Sequence, residues 1–312
     1  MKVNLNNIIG VYMKKNDIKP FIKWAGGKGQ LVETIKQRYP MKKYKIDKYI
    51  EPFIGGGAVL FDLLGEYSFK KIYISDINEE LINTYVIIRD DVENLILILE
   101  KMQAEYISLD EIGRKEYFYK IREQYNDEIL SEKNKVKKAA LFLFLNKTCF
   151  NGLYRVNKKG KFNVPIGSYK NPKICDSMNL RNVSKSLSNI EIKNSDYREC
   201  IDLVDEKTFV YIDPPYRPLN NTSSFKSYSK NDFNDNEQIE LAKFYRELDK
   251  KGAFVILSNS DPKNIDENDE FFDDLYSDYN IERIEAKRVI NSKSSNRGAI
   301  KEILVSNFKV DR

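Results

Sequence analysis

Two kinds of segment alternate along most of the chain, short apolar runs and longer amphipathic stretches. The apolar runs are bounded by Gly, Pro or Asp, which is typical of buried strands. They are residues 48–53, 71–75, 209–212 and 253–258, with two further candidate strands at residues 281–289 and 302–308. Helical patterns follow at residues 58–64, from Glu79, and at residues 237–250, where Gly252 is suited to a C-cap. This alternation predicts an α/β fold with a parallel sheet covered on both faces, whose final two strands could pair antiparallel at one edge.

The middle of the chain departs from this alternation. Between about residues 80 and 175 the pattern changes to helices, at residues 92–106, 116–125 and 134–145, and then to a basic loop region. No repeat, low-complexity tract or Gly/Ser-rich linker separates two independent halves. We therefore expect residues 1–79 and 176–312 to form one domain, with residues 80–175 inserted into it as a smaller, mainly helical domain.

Composition excludes several classes of chemistry. The chain has 312 residues, 41% of them hydrophobic and 32% charged, which is enough apolar material for a core of about two domains. It contains no histidine, so an imidazole base, a Ser–His or Cys–His nucleophile and a His-ligated metal are all excluded. Its three cysteines form no CxxC pair, and we expect no metal site.

The same composition bears on location. An odd and sparse set of cysteines fits a reducing compartment. The first residues show no secretory pattern, and the longest apolar run, residues 139–145, is too short to span a membrane. We therefore expect a cytoplasmic protein.

Positive charge is concentrated in one segment. Residues 133–175 contain eleven Lys or Arg and no Asp or Glu, although the net charge of the whole chain is only +5. The part up to residue 138 fits a solvated lysine-rich face. From residue 150 to residue 173, however, aromatic rings and Asn side chains are interleaved with the basic residues. Charges for phosphates, rings for stacking and amides for base edges together favour nucleic acid as the partner.

A glycine-rich turn follows the first predicted strand. Residues 55–57 are all glycine and open a helix, an arrangement that lets backbone approach a ligand at a helix N-terminus. Asp76, at the end of the next strand, suits a ribose diol. Leu60 stands where a dinucleotide fingerprint needs its third glycine, and Gly29 follows Lys28 where a Walker loop needs Ser or Thr. Taken alone, the turn fits either a nucleoside-type ligand or a simple tight turn packed under a helix.

The sequence Asp213-Pro-Pro-Tyr216 ends a buried strand, and its two prolines fix the backbone. The Asp213 carboxylate and the Pro214 carbonyl could accept both hydrogens of an aromatic amine and so localise its lone pair for attack on a methyl sulfonium. Tyr216 offers a face on which an extruded base can stack. A proline-rich turn without chemistry is the simpler alternative, but the carboxylate and the ring on either side favour amine methylation.

At this point the chain resembles the Dam-type (D12 class) DNA adenine methyltransferases, including the GATC-specific enzymes of restriction–modification systems. The resemblance runs from about residue 20 to residue 308 and rests on blocks in a fixed order. The blocks are residues 20–28 (PFIKWAGGK), 51–57 (EPFIGGG), 75–78 (SDIN), 150–155 (FNGLYR), 162–165 (FNVP), 213–216 (DPPY) and 291–294 (NSKS). The resemblance implies a Rossmann-like methyltransferase sheet carrying the S-adenosylmethionine site, with residues 80–175 as an inserted DNA-recognition domain.

The resemblance also implies roles for individual residues. It assigns catalysis to Asp213, Pro214, Pro215 and Tyr216. It assigns cofactor contacts to Trp24, Lys28, Gly55, Gly56, Gly57, Asp76, Asp196 and Asp213. It assigns DNA contacts to Lys23, Phe150, Asn151, Leu153, Arg155, Pro165 and Tyr169. Within the last set, Lys23 and Arg155 match residues that read base pairs of GATC, although Arg155 could bind a phosphate instead, and Phe150 stands where some relatives have an intercalating Tyr.

The resulting expectation is a site-specific, S-adenosylmethionine-dependent methyltransferase that flips its target base and methylates adenine in GATC sites of duplex DNA. We expect it to act as a monomer, with a companion restriction endonuclease as a candidate partner. Other acceptors remain open, namely RNA adenine, a cytosine amino group or a protein glutamine amide. Asp213 before Pro-Pro, where Ser could also stand, favours adenine. A DNA-binding regulator on a degenerate methyltransferase scaffold is the alternative from another class.

Overall fold

The computed structural model describes residues 18–128, 134–217, 233–287 and 299–309. Its strands form one seven-stranded sheet in the order β3-β2-β1-β4-β5-β7-β6. The strands are β1 (Lys48–Glu51), β2 (Lys71–Asp76), β3 (Glu191–Asn194), β4 (Thr208–Ile212), β5 (Phe254–Ser260), β6 (Asn280–Lys287) and β7 (Ala299–Ser306). The first five are parallel, whereas β7 runs antiparallel to both β5 and β6. The predicted α/β class and the antiparallel pairing of the last two strands are thereby confirmed.

Helices connect these strands and cover the sheet. They are α1 (Val32–Lys36), α2 (Ala58–Glu66), α3 (Glu79–Asp90), α4 (Val92–Ser108), α5 (Glu111–Glu128), α6 (Lys135–Thr148), α7 (Ser177–Leu187), α8 (Asp235–Lys250) and α9 (Phe271–Leu275). Side-chain caps fix several starts: Asn78 accepts from the Leu81 amide at the start of α3, and Asn234 accepts from two amides at the start of α8. Gly252, just beyond α8, has φ +80°, the left-handed conformation expected of a residue that ends a helix.

Several boundaries differ from the sequence-based prediction. β1 ends at Glu51, two residues earlier than predicted, because Pro52 has no amide hydrogen to continue a ladder. β7 begins three residues earlier and ends at Ser306, two residues before the predicted end. α7 and β3 were not predicted at all. β3 has a single buried residue, Ile192, so its sequence lacks the apolar run that identifies a strand. The predicted end of β6, residues 288 and 289, lies outside the described residues.

The core joins the sheet to the helical segment. α6 is apolar around its whole circumference between residues 139 and 145, all of them buried, and it packs against α3, α4 and α5. Its side chains belong to the same apolar cluster as Tyr49 of β1 and Ile74 of β2. A second cluster, which includes Val210 of β4, fills the other face of the sheet beneath α8. The helical segment and one face of the sheet therefore share a continuous core.

The strand order creates a crevice at one edge of the sheet. From β1 the chain proceeds outward through β2 and β3, and it then returns to place β4 and β5 on the other side of β1. In open α/β sheets, ligands bind beyond the carboxyl ends of the strands at the point where the order reverses. Here that point lies between the ends of β1 and β4, which are followed by residues 52–57 and 213–216.

Candidate functional site

Two buried side-chain amides support the turn at residues 213–216, which follows β4. Gln238 of α8 donates to the Pro215 carbonyl at 3.1 Å, and Asn259 of β5 donates to the Gln238 side-chain oxygen at 3.2 Å. Both amides are inaccessible to solvent. Because the two prolines already restrict φ, this relay leaves the turn little freedom. Asp213 and Tyr216 therefore project from a rigid support.

The Asp213 carboxylate is oriented through a single oxygen. Its Oδ1 accepts from the Lys28 ammonium at 2.5 Å and from the Ser258 hydroxyl at 3.0 Å. The Ser258 hydroxyl is itself 3.0 Å from the hydroxyl of buried Tyr211. Burial raises the pKa of Asp213, and the positive charge of Lys28 opposes that rise. The carboxylate thus sits in a low-dielectric setting in which its remaining acceptor capacity is strong.

Lys28 connects the predicted cofactor segment to the predicted catalytic turn. Its ammonium, on a side chain that is only 3% exposed, also donates to the Tyr216 hydroxyl at 2.7 Å and to the Gly26 carbonyl at 3.2 Å. It lies 4.7 Å from the centroid of the Tyr216 ring. A second acid, Glu302 of β7, is 3.7 Å from the same nitrogen. The structure therefore brings Lys28, Asp213 and Tyr216 into one cluster.

The glycine turn packs directly against Trp24. Gly55 and Gly57 have φ of +46° and +70°, conformations that favour glycine. A Cβ at Gly55 would come within 2.8 Å of the Trp24 ring, and one at Gly57 within 2.6 Å of the Tyr85 hydroxyl. Gly56 would also contact Trp24, at 3.3 Å. Side chains at residues 55 and 57 would therefore collide with Trp24 and Tyr85, so the turn requires glycine at both positions.

Asp76 closes the neighbouring end of β2. One oxygen of its carboxylate accepts from the Gly55 amide at 3.1 Å, and the other accepts from the Asn78 amide at 2.9 Å. Burial raises the pKa of Asp76, and these backbone amides oppose the rise. Ile77, the next residue, is 63% exposed. An acid and an uncovered apolar side chain therefore lie beside the glycine turn.

Asp196 follows β3 and caps a short 3-10 segment. Its carboxylate forms two hydrogen bonds with Arg198, at 2.7 and 2.9 Å, and these bonds lower its pKa. Asn194, two residues earlier, donates to the Asp76 carbonyl at 3.0 Å. Asp196 therefore follows β3, the strand next to the one that Asp76 ends, at the same edge of the sheet. A ligand that formed a hydrogen bond with Asp196 would share this carboxylate with Arg198.

A second group of predicted residues lies on residues 149–169, here called the basic loop. The Phe150 amide donates to the Pro165 carbonyl at 2.9 Å, and isolated bridges join Cys149 to Ile166 and Val156 to Phe162. Side chains of the helices add to these bonds, since Asn126 of α5 bonds both the amide and the carbonyl of Phe162, and Asn146 of α6 donates to the Gly152 carbonyl. What is held is therefore mainly the backbone of the loop. Phe150 itself is 51% exposed. Asn151 beside it is exposed and has φ +56°, a left-handed conformation in which Asn is among the more tolerant residues.

Arg155 is exposed but oriented within the basic loop. Its Nε donates to the Asn163 side-chain oxygen at 2.7 Å, and the Asn163 amide donates back to the Arg155 carbonyl at 3.1 Å. Leu153 is half-buried against the core, whereas Lys159 is exposed at the tip of the short hairpin that the Val156–Phe162 bridge closes. The guanidinium thus has one edge fixed and the rest turned outward, the geometry that two-point recognition of a partner requires.

Lys23 ties the basic loop to the segment that carries Trp24 and Lys28. Asn146 of α6 accepts from the Lys23 amide at 3.0 Å and donates to the Lys23 carbonyl at 2.7 Å. The Lys23 ammonium is 3.3 Å from the Tyr169 hydroxyl and 4.3 Å from the centroid of that ring. Trp24 stacks on Tyr154 of the basic loop at 5.8 Å. The two groups of predicted residues are therefore connected through residues 23–28.

Sequence reasoning missed the side chains that support the catalytic turn. Ser258, Asn259 and Glu302 come from neighbouring strands, and Gln238 comes from α8. One signal was available, since β5 changes abruptly from apolar residues to Ser258-Asn-Ser-Asp261 at its carboxyl end. A second signal was Glu302, a charged residue in the middle of the mainly apolar strand β7.

Among residues 18–128, 134–217, 233–287 and 299–309, no group of three or more His, Cys, Asp or Glu is arranged to hold a metal ion.

No helix in the described part of the chain is both long and apolar enough to cross a membrane. Residues 291–294, the last block of the resemblance, lie outside the described residues.

Comparison with known proteins identifies the family. The sequence model of the D12 class N6 adenine-specific DNA methyltransferases matches residues 24–290. Type II methyltransferase M.MjaIII of Methanocaldococcus jannaschii is 54% identical over 94% of this chain and 100% of its own length. Type II methyltransferase M1.LlaDCHI of Lactococcus lactis subsp. cremoris is 41% identical over 94% of this chain and 97% of its own length, and the DNA adenine methylase of Escherichia coli K12 is 31% identical over 94% and 95%. The chain therefore belongs to the D12 class of N6 adenine-specific DNA methyltransferases.

Proposed function

We propose that this enzyme transfers a methyl group from S-adenosylmethionine to the exocyclic amino group of adenine in duplex GATC sites, after flipping the base out of the helix. The observation that carries this proposal is the cluster of Asp213, Tyr216 and Lys28 at the crevice between β1 and β4, beside the glycine turn and Asp76. An acceptor, a stacking surface and a nucleoside-type cradle within one crevice match what amine methylation requires.

The fit of S-adenosylmethionine is supported by the shape and donor set of the cradle. Residues 55–57 carry no side chain that would keep a ligand from the half-buried backbone at Gly55, Asp76 offers a carboxylate, and exposed Ile77 offers apolar cover. When bound, the cofactor supplies an electrophilic methyl group on a sulfonium. We assign its binding to Trp24, Lys28, Gly55, Gly56, Gly57, Asp76, Asp196 and Asp213. Asp196 is the contact that would have to be shared with Arg198.

The chain's own contribution to the reaction is to shape the nucleophile. The target amino group can donate one hydrogen to Asp213 and the other to the Pro214 carbonyl, which accepts no hydrogen bond from a described residue. These two bonds draw the nitrogen towards tetrahedral geometry and localise its lone pair. After methyl transfer the nitrogen is positively charged and still carries two hydrogens. We assign the removal of one of these protons to the Asp213 carboxylate. Pro215 holds the turn through Gln238, and Tyr216 supplies the surface for the flipped base.

DNA recognition is assigned to the basic loop and Lys23. The proposed DNA contacts are Lys23, Phe150, Asn151, Leu153, Arg155, Pro165 and Tyr169. An oriented guanidinium such as that of Arg155 suits the two acceptors of a guanine, and an exposed ring such as that of Phe150 can fill the space that an extruded base leaves. We extend this to a division of labour in which residues 80–175, assisted by Lys23, recognise DNA, while the rest of residues 1–79 and residues 176–312 bind the cofactor and catalyse.

The biological setting is proposed on the relatives' names. Two of the relatives above are called Type II methyltransferases. We therefore propose that this enzyme protects DNA as part of a restriction–modification system with a companion endonuclease, and that it acts as a monomer. Because cellular DNA is the proposed substrate, we place the enzyme in the cytoplasm.

The test is to express the chain in a host that lacks adenine methylation and to digest the host DNA with endonucleases that are blocked by, or depend on, GATC methylation. Protection from the first kind and cleavage by the second are expected, and Asp213→Ala serves as the inactive control. If the soluble protein left both digestion patterns unchanged, GATC would not be its site. Mass analysis of hydrolysed DNA then separates the remaining cases. N6-methyladenine indicates another adenine site, N4-methylcytosine indicates a cytosine acceptor, and the lack of both indicates a non-DNA acceptor or a binding protein.

A further inference from the structure

The position of Lys28 conflicts with entry of the target base. An ammonium has three hydrogens, and those of Lys28 are directed to Gly26, Asp213 and Tyr216. Asp213 keeps a free oxygen for the amino group of the base, but the Lys28 nitrogen lies over the Tyr216 ring, 4.7 Å from its centroid. A base stacked on that ring needs the same space, so Lys28 must move away before the base can bind at Asp213. The question is where a buried ammonium can go without losing its ionic partner, since an unpaired buried charge is strongly destabilising.

Glu302 offers a place for it. The residue lies on β7, which pairs with β5 so that Glu302 is opposite Ser260, at the same edge of the sheet as Ser258. It is only 8% exposed, and its Oε2 lies 3.7 Å from the Lys28 nitrogen, just beyond hydrogen-bond distance. Oε2 is buried and has no donor within hydrogen-bond distance among the described residues, although Lys28 and the Tyr216 hydroxyl lie close enough to oppose the rise in the pKa of Glu302 that burial causes. Buried carboxylate oxygens without a donor are rare, because desolvation is then uncompensated. The oxygen is therefore poised to accept a donor in a second state.

We propose that Glu302 is a positioning residue that receives the Lys28 ammonium when the target base takes its place at Asp213. Only hydrogen-bond partners are exchanged, so the lysine keeps its charge and an anionic neighbour throughout. The step rests on the proposed function, since it is the flipped base that displaces the lysine. Glu302 thus acts through Lys28 and does not contact the base.

The test is a double-mutant cycle in single-turnover methyl transfer and in the steady state. Glu302→Gln keeps the size of the side chain but removes the anionic acceptor. We expect kcat to fall by about 10-fold or more, with KM for DNA within about threefold of wild type. In a Lys28→Met background the same change should have an effect of less than about threefold, because the group through which Glu302 acts is gone. Glu282→Gln is the matched control, since Glu282 lies on adjacent β6 and pairs with Arg38 outside the cluster; its kcat should equal that of wild type.

Two results would overturn the proposal: a Glu302→Gln enzyme as fast as wild type, or an equal loss in both backgrounds, which indicates a structural role independent of Lys28. If the variants do not fold or turn over too slowly to compare, a crystal structure of the wild type with a target duplex and sinefungin, a non-reactive cofactor analogue, decides. With the base at Asp213, the Lys28 nitrogen should lie within 3.2 Å or so of Glu302 Oε2; a nitrogen still on Asp213 contradicts the exchange. A wild type that does not methylate DNA refutes the proposed function, whereas an active wild type with an unaffected Glu302→Gln variant refutes only this inference.

Discussion

The catalytic turn and the basic loop are built on opposite principles. Asp213 and Tyr216 are held by side chains, from Lys28, Ser258 and, through the Pro215 carbonyl, Gln238. In the basic loop the backbone is held instead, by the bridges around Cys149 and Val156 and by the side chains of Asn126 and Asn146, while most of the functional side chains reach into solvent. Bond making needs reacting groups fixed in a dry site before the substrate arrives. Reading DNA needs exposed donors that adapt to a hydrated partner.

Arg155 of the basic loop and Lys23 beside it are exceptions, because their side chains are oriented by neighbouring residues. Arg155 is steadied by Asn163, and Lys23 lies against Tyr169, so these two cations are oriented although they are exposed. They are also the two residues for which base reading is proposed. Orientation without burial separates them from Lys159, which is exposed at the hairpin tip. The contrast between the regions can therefore be tested with substitutions that each remove one feature. These features are the acceptor at Asp213, the hydrogen bonds that support its turn, a base contact and a single exposed charge.

The largest effect is expected at Asp213. Asp213→Ala removes the acceptor that shapes the nucleophile, and kcat should fall by about 10³-fold or more. DNA affinity should stay within about threefold, because the hydrogen bonds of Asp213 go to Lys28 and Ser258 and not to the basic loop. Single-turnover methyl transfer and fluorescence anisotropy on the same duplex measure the two quantities. A collapse of DNA binding with the loss of turnover would mean that the two regions are not separable.

A smaller loss of rate is expected when the support beneath the turn is removed. Gln238→Leu deletes the donor to Pro215 and leaves Asn259 without its acceptor, so the free energy of unfolding should fall by about 1–3 kcal/mol and kcat by about 10-fold. Gln103→Leu is the matched control in the helical segment, where Gln103 accepts from the Ile174 and Cys175 amides. It should lose similar stability in urea denaturation without a change in kcat. Equal kcat for both variants would show that the relay contributes to folding but not to catalysis.

In the basic loop the expected effects concern selectivity. Arg155→Ala should cost about 1–3 kcal/mol of discrimination at one base pair, seen as similar rates on GATC and on a duplex altered at that pair. Asn163→Ala should weaken the same preference less, because it only frees the guanidinium. Lys159→Ala should instead weaken binding alike on all sequences and flatten its salt dependence. If Arg155→Ala behaved like Lys159→Ala, Arg155 would be a phosphate contact.

The sequence predicted the parts of this molecule that depend on local pattern. Apolar runs predicted β1, β2, β4 and β5 to within two residues at either end, and the Asp-Pro-Pro-Tyr turn was found because proline and charge end a strand visibly. What could not be predicted is contact across the sheet. The link from Lys28 to Asp213 joins residues 185 positions apart, and Glu302 reaches the same cluster from an antiparallel strand. Pairing of that kind depends on strand order, which short-range periodicity does not encode.

The smallest expected effect tests whether a buried cation close to Lys23 contributes to DNA binding. Lys147, in the last turn of α6, has its pKa lowered to about 8 by burial and by the nearby charge of Lys23. Below pH 8 it is charged and can support DNA binding; above pH 8 it becomes neutral. Between pH 7 and pH 9, measured affinity for duplex should therefore fall by a few-fold, and the slope of log affinity against log salt should decrease by up to about 0.9.

Substitution at Lys147 makes this test specific. Lys147→Gln should bind at pH 7 as the wild type does at pH 9 and show little further change with pH, because the titrating charge is gone. Lys147→Arg should keep its affinity at pH 9, since a guanidinium remains protonated there. Affinities of wild type and both variants, measured by anisotropy at several salt concentrations, give the comparison. If affinity still depended on pH in Lys147→Gln, a group other than Lys147 would be responsible. In that case the buried charge at the end of α6 would not contribute to DNA binding.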